Sequence, residues 1–206
     1  PAAGDSKLEA KLGEAYANAG RGGDAADAFL TAARHEASQE RAVELRRRAA
    51  EQLLRSGRVD RALAAFEEVL GTVGLYAPGS AKTSLGLLLA RRAQLRLRGL
   101  RFEKRDESAL APSELIRIDS CWAVGTGLGL VDFVRGADFQ TRALLLSLEA
   151  GEPRRIARSL AGEVCFSSAD GGRSARRTAE LHERAEALAR ELGDPYAIAW
   201  ARGSGG

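Results

Sequence analysis

Residues able to do chemistry are few in this chain, and their spacing does not gather them. The only histidines, His35 and His182, each stand beside a carboxylate, Glu36 and Glu183. A metal centre needs several converging ligands and a nucleophile–base pair needs a partnered Ser or Cys, so both histidines read as surface helix positions. Cys121 and Cys165 have no CxxC or Cys/His spacing around them. They read as buried free thiols suited to a reducing cytoplasm. Gly74 and Gly79 followed by Lys82-Thr83 have the outline of a phosphate-binding loop. That loop needs Lys directly after the second Gly and a buried strand before the first, and Ser80 and Ala81 intervene, so the segment reads as a loop leading into a helix. Gly125, Gly127 and Gly129 follow a GxGxG spacing inside an apolar helical run. Without a preceding strand they are not a dinucleotide fingerprint, and close helix packing is the expected return for their cost in helix propensity. Glu114 and Asp119 form no acid/base pair and fit a partly exposed helix face. No catalytic, cofactor-binding or metal-binding residue is expected in this chain.

The bulk composition agrees. Lys and Arg number 31 against 28 Asp and Glu, a net charge of +3 with acids interleaved almost throughout. The nearest approach to a basic stripe is Arg91, Arg92, Arg96, Arg98, Arg101, Lys104 and Arg105, answered by Asp106 and Glu107. A nucleic-acid footprint needs clustering on one face, so a solvated helix face is the first reading and a nucleic-acid-binding helical array the weaker one. The most apolar windows, Leu85–Ala90 and Cys121–Val134, are too short to span a bilayer, and the first residues do not read as an n-region and h-region. The chain reads as soluble and cytoplasmic. It contains no Met, opens with Pro1, and its last helical pattern, Tyr196–Arg202, breaks off in Gly203-Ser204-Gly205-Gly206. It reads as a fragment of a larger protein.

The elements that would position any site are helices. Strand signals are nearly absent, while Leu8, Leu12, Ala15, Tyr16 and Ala19 follow helical stride up to Gly20-Arg21-Gly22-Gly23. Asp24 is expected to cap the next helix, which carries Ala25, Ala28, Phe29, Ala32 and Ala33. The same skeleton returns 37 residues on: Gly20, Ala25 and Phe29 recur as Gly57, Ala62 and Phe66, and an Arg follows each Gly. Periods of 20 to 50 residues mark stacked supersecondary units. A second hairpin is expected over Gln39–Ser56 and Val59–Gly71, then a loop over Gly74–Ser80. Thr83–Leu97 should form an amphipathic helix on Leu85, Leu88, Leu89 and Leu95, with a connecting loop over Arg101–Pro112. Ser113–Val131 and Ala137–Ala150 read as a helix pair interrupted at Gly136. Arg154–Ser167 and Ser174–Leu192 read as a last full pair around Ser168–Gly172, with a final helix after Asp194-Pro195.

The first hairpin resembles the tetratricopeptide repeat through Leu12, Gly13, Tyr16, Gly20, Ala25, Phe29 and Ala32. Glu9 stands where that family has Trp, and Ala37 where it has Pro. The second hairpin keeps Gly57, Ala62 and Phe66, with Ala49, Ala50 and Leu53 in place of Leu, Gly and Tyr. The resemblance implies an all-α, tetratricopeptide-like α-solenoid of four to five antiparallel helix hairpins. Residues 1–73 would hold two clear repeats, and 74–206 diverged repeats continuing the same superhelix, truncated at the C-terminus. In such arrays the first helix of each pair lines the concave groove. The resemblance therefore places Lys7, Glu14 and Asn18, then Glu44, Arg47, Glu51 and Arg55, where a protein or peptide ligand would lie.

A wider resemblance rests on the segments Ala49–Gly57, Leu95–Phe102 and Arg135–Phe139, which look like the C-terminal helical-repeat region of large bacterial serine/threonine protein kinases. In that family a kinase domain and an AAA-type ATPase segment precede the repeats. The Gly-rich loop, His-Arg-Asp and Asp-Phe-Gly motifs are not in this sequence. The resemblance implies a non-catalytic regulatory module here, with ATP as a cofactor of the parent kinase alone. No membrane partner is expected.

Overall fold

The structure, a computed structural model, describes residues 3–76, 80–129, 132–168 and 174–204. Parts of the Gly74–Ser80 loop and the Ser168–Gly172 turn, together with Val131, Gly205 and Gly206, lie outside the described residues. The described residues form ten α-helices and one short 3-10 turn, with no strand among them. The protein is all-α. It divides into two compact units, Pro1–Ala77 and Pro78–Gly206.

Unit 1 consists of α1 (Ala3–Asn18), α2 (Gly22–His35), α3 (Gln39–Arg55) and α4 (Val59–Thr72). Each packs on the next in chain order. The internal repeat is written into its two turns. Gly20 and Gly57 have φ of 72° and 76°. The Gly20 N–H donates to Ala17 O at 3.1 Å and the Arg21 N–H to Tyr16 O at 2.9 Å; Gly57 and Arg58 repeat this onto Leu54 O and Leu53 O, both at 2.9 Å. This paired closure of a helix C-terminus needs a left-handed residue, which glycine adopts without a Cβ penalty. The following arginines share one backbone conformation, φ −90°, ψ 59° at Arg21 and φ −88°, ψ 60° at Arg58. The expectation that Asp24 caps α2 is corrected here. Arg21 is the N-cap residue, and Asp24 lies in the first turn, where its carboxylate accepts from Arg21 Nε at 2.7 Å.

Small residues set the spacing in unit 1. Ala25, Ala26, Ala32, Ala49 and Ala62 are fully buried around Phe29 and Leu53. Gly13 explains a second departure from expectation. A Cβ there would meet the Phe29 ring at 2.7 Å, so α1 turns its Gly13 side to α2, with Ala10, Tyr16 and Ala17 against the core. That rotation sends Leu8 and Leu12 to the surface, Leu8 with 68% of its area exposed.

Unit 2 contains α5 (Ala81–Arg98), the turn Glu107–Ala109, α6 (Pro112–Leu128), α7 (Phe133–Ala150), α8 (Pro153–Ser168), α9 (Ala175–Leu192) and α10 (Pro195–Gly203). α6 pairs with α7 and α8 with α9; α7 also packs on α5 and α8, and α10 rests on α8 and α9. Gly136 does not interrupt α7. The helix starts at Phe133, with the Asp132 carboxylate accepting from the Arg135 N–H at 3.1 Å, and Gly136 lies inside it. A Cβ on Gly136 would come within 2.9 Å of Gly129, and one on Gly125 within 3.0 Å of the Gln140 N atom. These glycines let α6 and α7 approach closely, which offsets their helix cost. On α5, Leu88 and Leu95 are buried as expected, but Leu85 and Leu89 are exposed because the inward side of the helix runs through Ser84, Leu88, Arg91 and Leu95 instead.

Candidate functional site

In unit 1 a cleft of about 570 Å³ lies between α1 and α3. Lys7, Leu8, Ala10, Lys11 and Glu14 line it from α1, and Arg41, Glu44, Leu45 and Arg48 from α3. α2 separates these two helices by packing against both, so they face each other across a gap. Two polar fastenings span it. At one end the Ser6 hydroxyl donates to Glu36 Oε2 at 3.0 Å and the Ser38 N–H to Glu36 Oε1 at 3.2 Å, with Arg41 Nε 3.5 Å away. The Ser38 N–H, the Ser6 hydroxyl and then Arg41 hold the Glu36 carboxyl below its ordinary value. Farther along, Arg48 Nη1 donates to Glu14 Oε1 at 3.0 Å.

Of the residues that the resemblance placed on the groove, Lys7, Glu14 and Glu44 line the cleft. Arg47, Glu51 and Arg55 are not among its lining residues and form a ladder along α3. Arg47 donates to Glu44 at 2.7 and 2.8 Å and to Glu51 at 3.2 Å, and Arg55 donates to Glu51 at 2.7 Å. Asn18 is exposed at the end of α1 and does not line the cleft. Lys11, Arg41 and Arg48 do line it and were missed. Lys7, Lys11 and Glu14 fall at i, i+4 and i+7, a single helix face that the sequence could have shown. The cleft's carboxylates are answered internally, Glu14 by Arg48 and Glu44 by Arg47, while among the described residues none pairs with Lys7 or Lys11.

Unit 2 hides a second set of polar groups, distributed around α7. Asp138, Gln140, Thr141 and Ser147 are fully buried. Arg91 donates to Asp138, Gln140 Nε2 to Ser159 O at 2.9 Å, and Thr141 to Glu163 at 3.0 Å, while the Ser147 and Ser159 hydroxyls meet at 3.1 Å. Burial pushes the Asp138 carboxyl up against the pull of Arg91 and Arg142. It also holds Arg142 below its ordinary value and drives the Cys121 thiol up to about 12. Asp119 accepts from Arg155 at 2.9 Å through two nitrogens and also from Arg158. Burial opposes the charge of Arg155, but Asp119, Glu107 and Glu152 overcome it and raise the group further. Every one of these contacts joins one helix to another or to its own cap. Their chemistry is that of cross-helix fastening.

The other candidate residues follow the same pattern. The Ala111 N–H donates to Glu114 at 3.2 Å at the start of α6. Ser80 accepts from the Thr83 N–H at 3.2 Å at the start of α5, and Gly79 lies outside the described residues. His35 ends α2, and His182 lies within α9. Among the described residues no group of three His, Cys, Asp or Glu side chains could hold a metal, and no helix is long and apolar enough to cross a membrane. Cys165 corrects an expectation, because it is exposed rather than buried. The basic stripe is largely engaged within unit 2. Arg91 meets Asp138, Arg92 donates to Phe166 O and neighbours Glu163, Arg98 donates to Leu148 O, and Lys104 meets Glu191.

The chain matches no protein-family model, no curated protein and no solved structure.

Proposed function

We propose that this chain is a non-catalytic protein-interaction module of tetratricopeptide-like helix hairpins, in which the first helices α1 and α3 receive a segment of a partner protein. The observation that carries the reading is the cleft itself. It opens between the first helices of two hairpins whose turns repeat in sequence and in backbone geometry, and it is lined by Lys7, Glu14 and Glu44. An opening of this size, lined by the apolar Leu8, Ala10 and Leu45 together with charged side chains from both helices, suits a peptide segment held by a few anchors. The parent, on the sequence resemblance alone, is a bacterial serine/threonine kinase whose catalysis and ATP use lie in other domains. A reading frame around this sequence that encodes no His-Arg-Asp and Asp-Phe-Gly pair would remove that part of the reading.

The groove is tested by selecting peptides from a random 12-residue library on the full chain and measuring their affinity by fluorescence anisotropy. Binding should fall at least tenfold in Lys7→Glu and in Glu44→Lys, and stay unchanged in Glu68→Lys on the exposed side of α4. Peptides indifferent to both cleft substitutions would sink it.

A further inference from the structure

The outward face of α5 carries an apolar stripe that nothing in unit 2 covers. Leu85, Leu89 and Leu97 are 48%, 60% and 90% exposed, and with Ala93 they fall at intervals of four residues, so they share one side of the helix. Large apolar side chains exposed singly are ordinary, but a continuous row of them marks a contact surface. Exposed Gly86 and Ala90 border the row and leave the helix backbone open to close approach. A Cβ at Gly86 would meet nothing within 4 Å.

Charge decides what fits there. α5 contains no acidic residue. Its arginines divide by face: Arg91 and Arg92 turn toward Asp138 and Glu163, and Arg98 donates to Leu148 O, whereas Lys82 and Arg96 are exposed on the side of the leucines. Lys82 and Arg96 are 14 positions apart, so they stand at the two ends of the Leu85–Ala93 stretch across roughly 21 Å of helix, with Leu97 just beyond Arg96. A second copy of this chain is a poor occupant, because pairing α5 with itself in either direction sets cation against cation. A lipid surface would use the leucines and the cations but gains nothing from the small residues beside them. An α-helix uses all three.

We propose that this face of α5 docks an amphipathic helix from a partner protein, one whose apolar seam is flanked at its two ends by acidic residues. The partner's leucine-type side chains would pack along Leu85, Leu89 and Ala93 with its backbone close over Gly86 and Ala90, and its acids would meet Lys82 and Arg96. The proposal does not depend on the cleft between α1 and α3.

The test uses the full chain and two labelled 18-residue helical peptides that share one leucine seam, one with Glu and the other with Lys at seam-flanking positions 14 residues apart. The Glu peptide should bind at least tenfold more tightly than the Lys peptide, and salt should narrow the gap. Leu89→Asp should weaken the Glu peptide at least tenfold while lowering the urea-unfolding midpoint only slightly, through the poorer helix propensity of aspartate, since the side chain is already largely exposed. Equal affinities, no binding of either peptide, or an indifferent Leu89→Asp would overturn the proposal. So would self-association in sedimentation velocity, or binding to phosphatidylserine vesicles, that Leu89→Asp abolishes.

Discussion

The guanidinium of Arg48 lies 4.4 Å from the centre of the Phe29 ring while its Nη1 donates to Glu14, so one side chain of α3 holds both helices of the first hairpin. The two contacts differ in kind. The Arg48–Glu14 pair is partly exposed, and such pairs are worth about 0.2–1 kcal/mol. The cation over the ring adds about 0.5–1 kcal/mol and is less sensitive to salt. Arg48→Ala should therefore destabilise unit 1 by about 1–2 kcal/mol in urea unfolding, and Glu14→Ala by less than about 1 kcal/mol. Equal losses would show that the ring contact contributes nothing.

Gly13 and Gly86 both lie inside helices, yet alanine should act oppositely at the two. At Gly13 a Cβ would meet the buried Phe29 ring at 2.7 Å, forcing ring or helix to move, at a cost of about 1–3 kcal/mol. At Gly86 it would meet nothing within 4 Å, and replacing glycine in a helix interior should stabilise by about 0.5–1 kcal/mol. Thermal unfolding of the two variants checks both signs. A stabilising Gly13→Ala would mean that α1 does not rest on Phe29 as described.

These glycines show how far the sequence could be read. Helical stride and the Gly-Arg turns were legible because they are local: Gly20 and Gly57 terminate helices through backbone geometry that no distant residue supplies. Which side of each helix faces inward was not. Leu8, Leu12, Leu85 and Leu89 follow helical stride as well as any core residue, and they lie outside because Gly13 and the Ser84–Leu88–Arg91–Leu95 side of α5 make the closer contacts. The buried polar residues of α7 were hidden for a related reason. Asp138, Gln140 and Thr141 look like solvated positions until Arg91, Ser159 and Glu163 arrive from α5 and α8. In the cleft, Lys7, Glu14 and Glu44 are lining residues that helix register alone could bring together, but Arg48 needed the Phe29 ring from α2 to be identified.

The two thiols should part company. Cys121 is fully buried, with a thiol pushed up to about 12, so roughly one molecule in ten thousand carries a thiolate there at pH 8. Cys165 is exposed, although partial burial also raises its thiol. Titration of the folded chain with Ellman's reagent should release one equivalent, a second should appear only in denaturant, and Cys165→Ser should remove the first. Two equivalents from the folded chain would contradict the packing of α6.

The Asp138–Arg91 pair sets two costs against each other. Truncation by Asp138→Ala leaves Arg91 without its counter-charge and should cost about 3–5 kcal/mol, whereas Asp138→Asn keeps an acceptor for the guanidinium and should cost less. The dependence on pH separates these contributions. Burial raises the Asp138 carboxyl above its ordinary 3.8, so the folded protein holds that proton more tightly than the unfolded chain. A group shifted in that direction contributes stability that is fully present below 3.8 and lost as pH rises through the folded value. Asparagine cannot titrate. The stability gap between wild type and Asp138→Asn, measured by urea unfolding from pH 3.5 to 7, should therefore narrow as pH rises, the other titrations cancelling in the comparison. A gap that widens instead would mean that the attraction of Arg91 outweighs burial, and Asp138 would then be an ordinary depressed carboxylate.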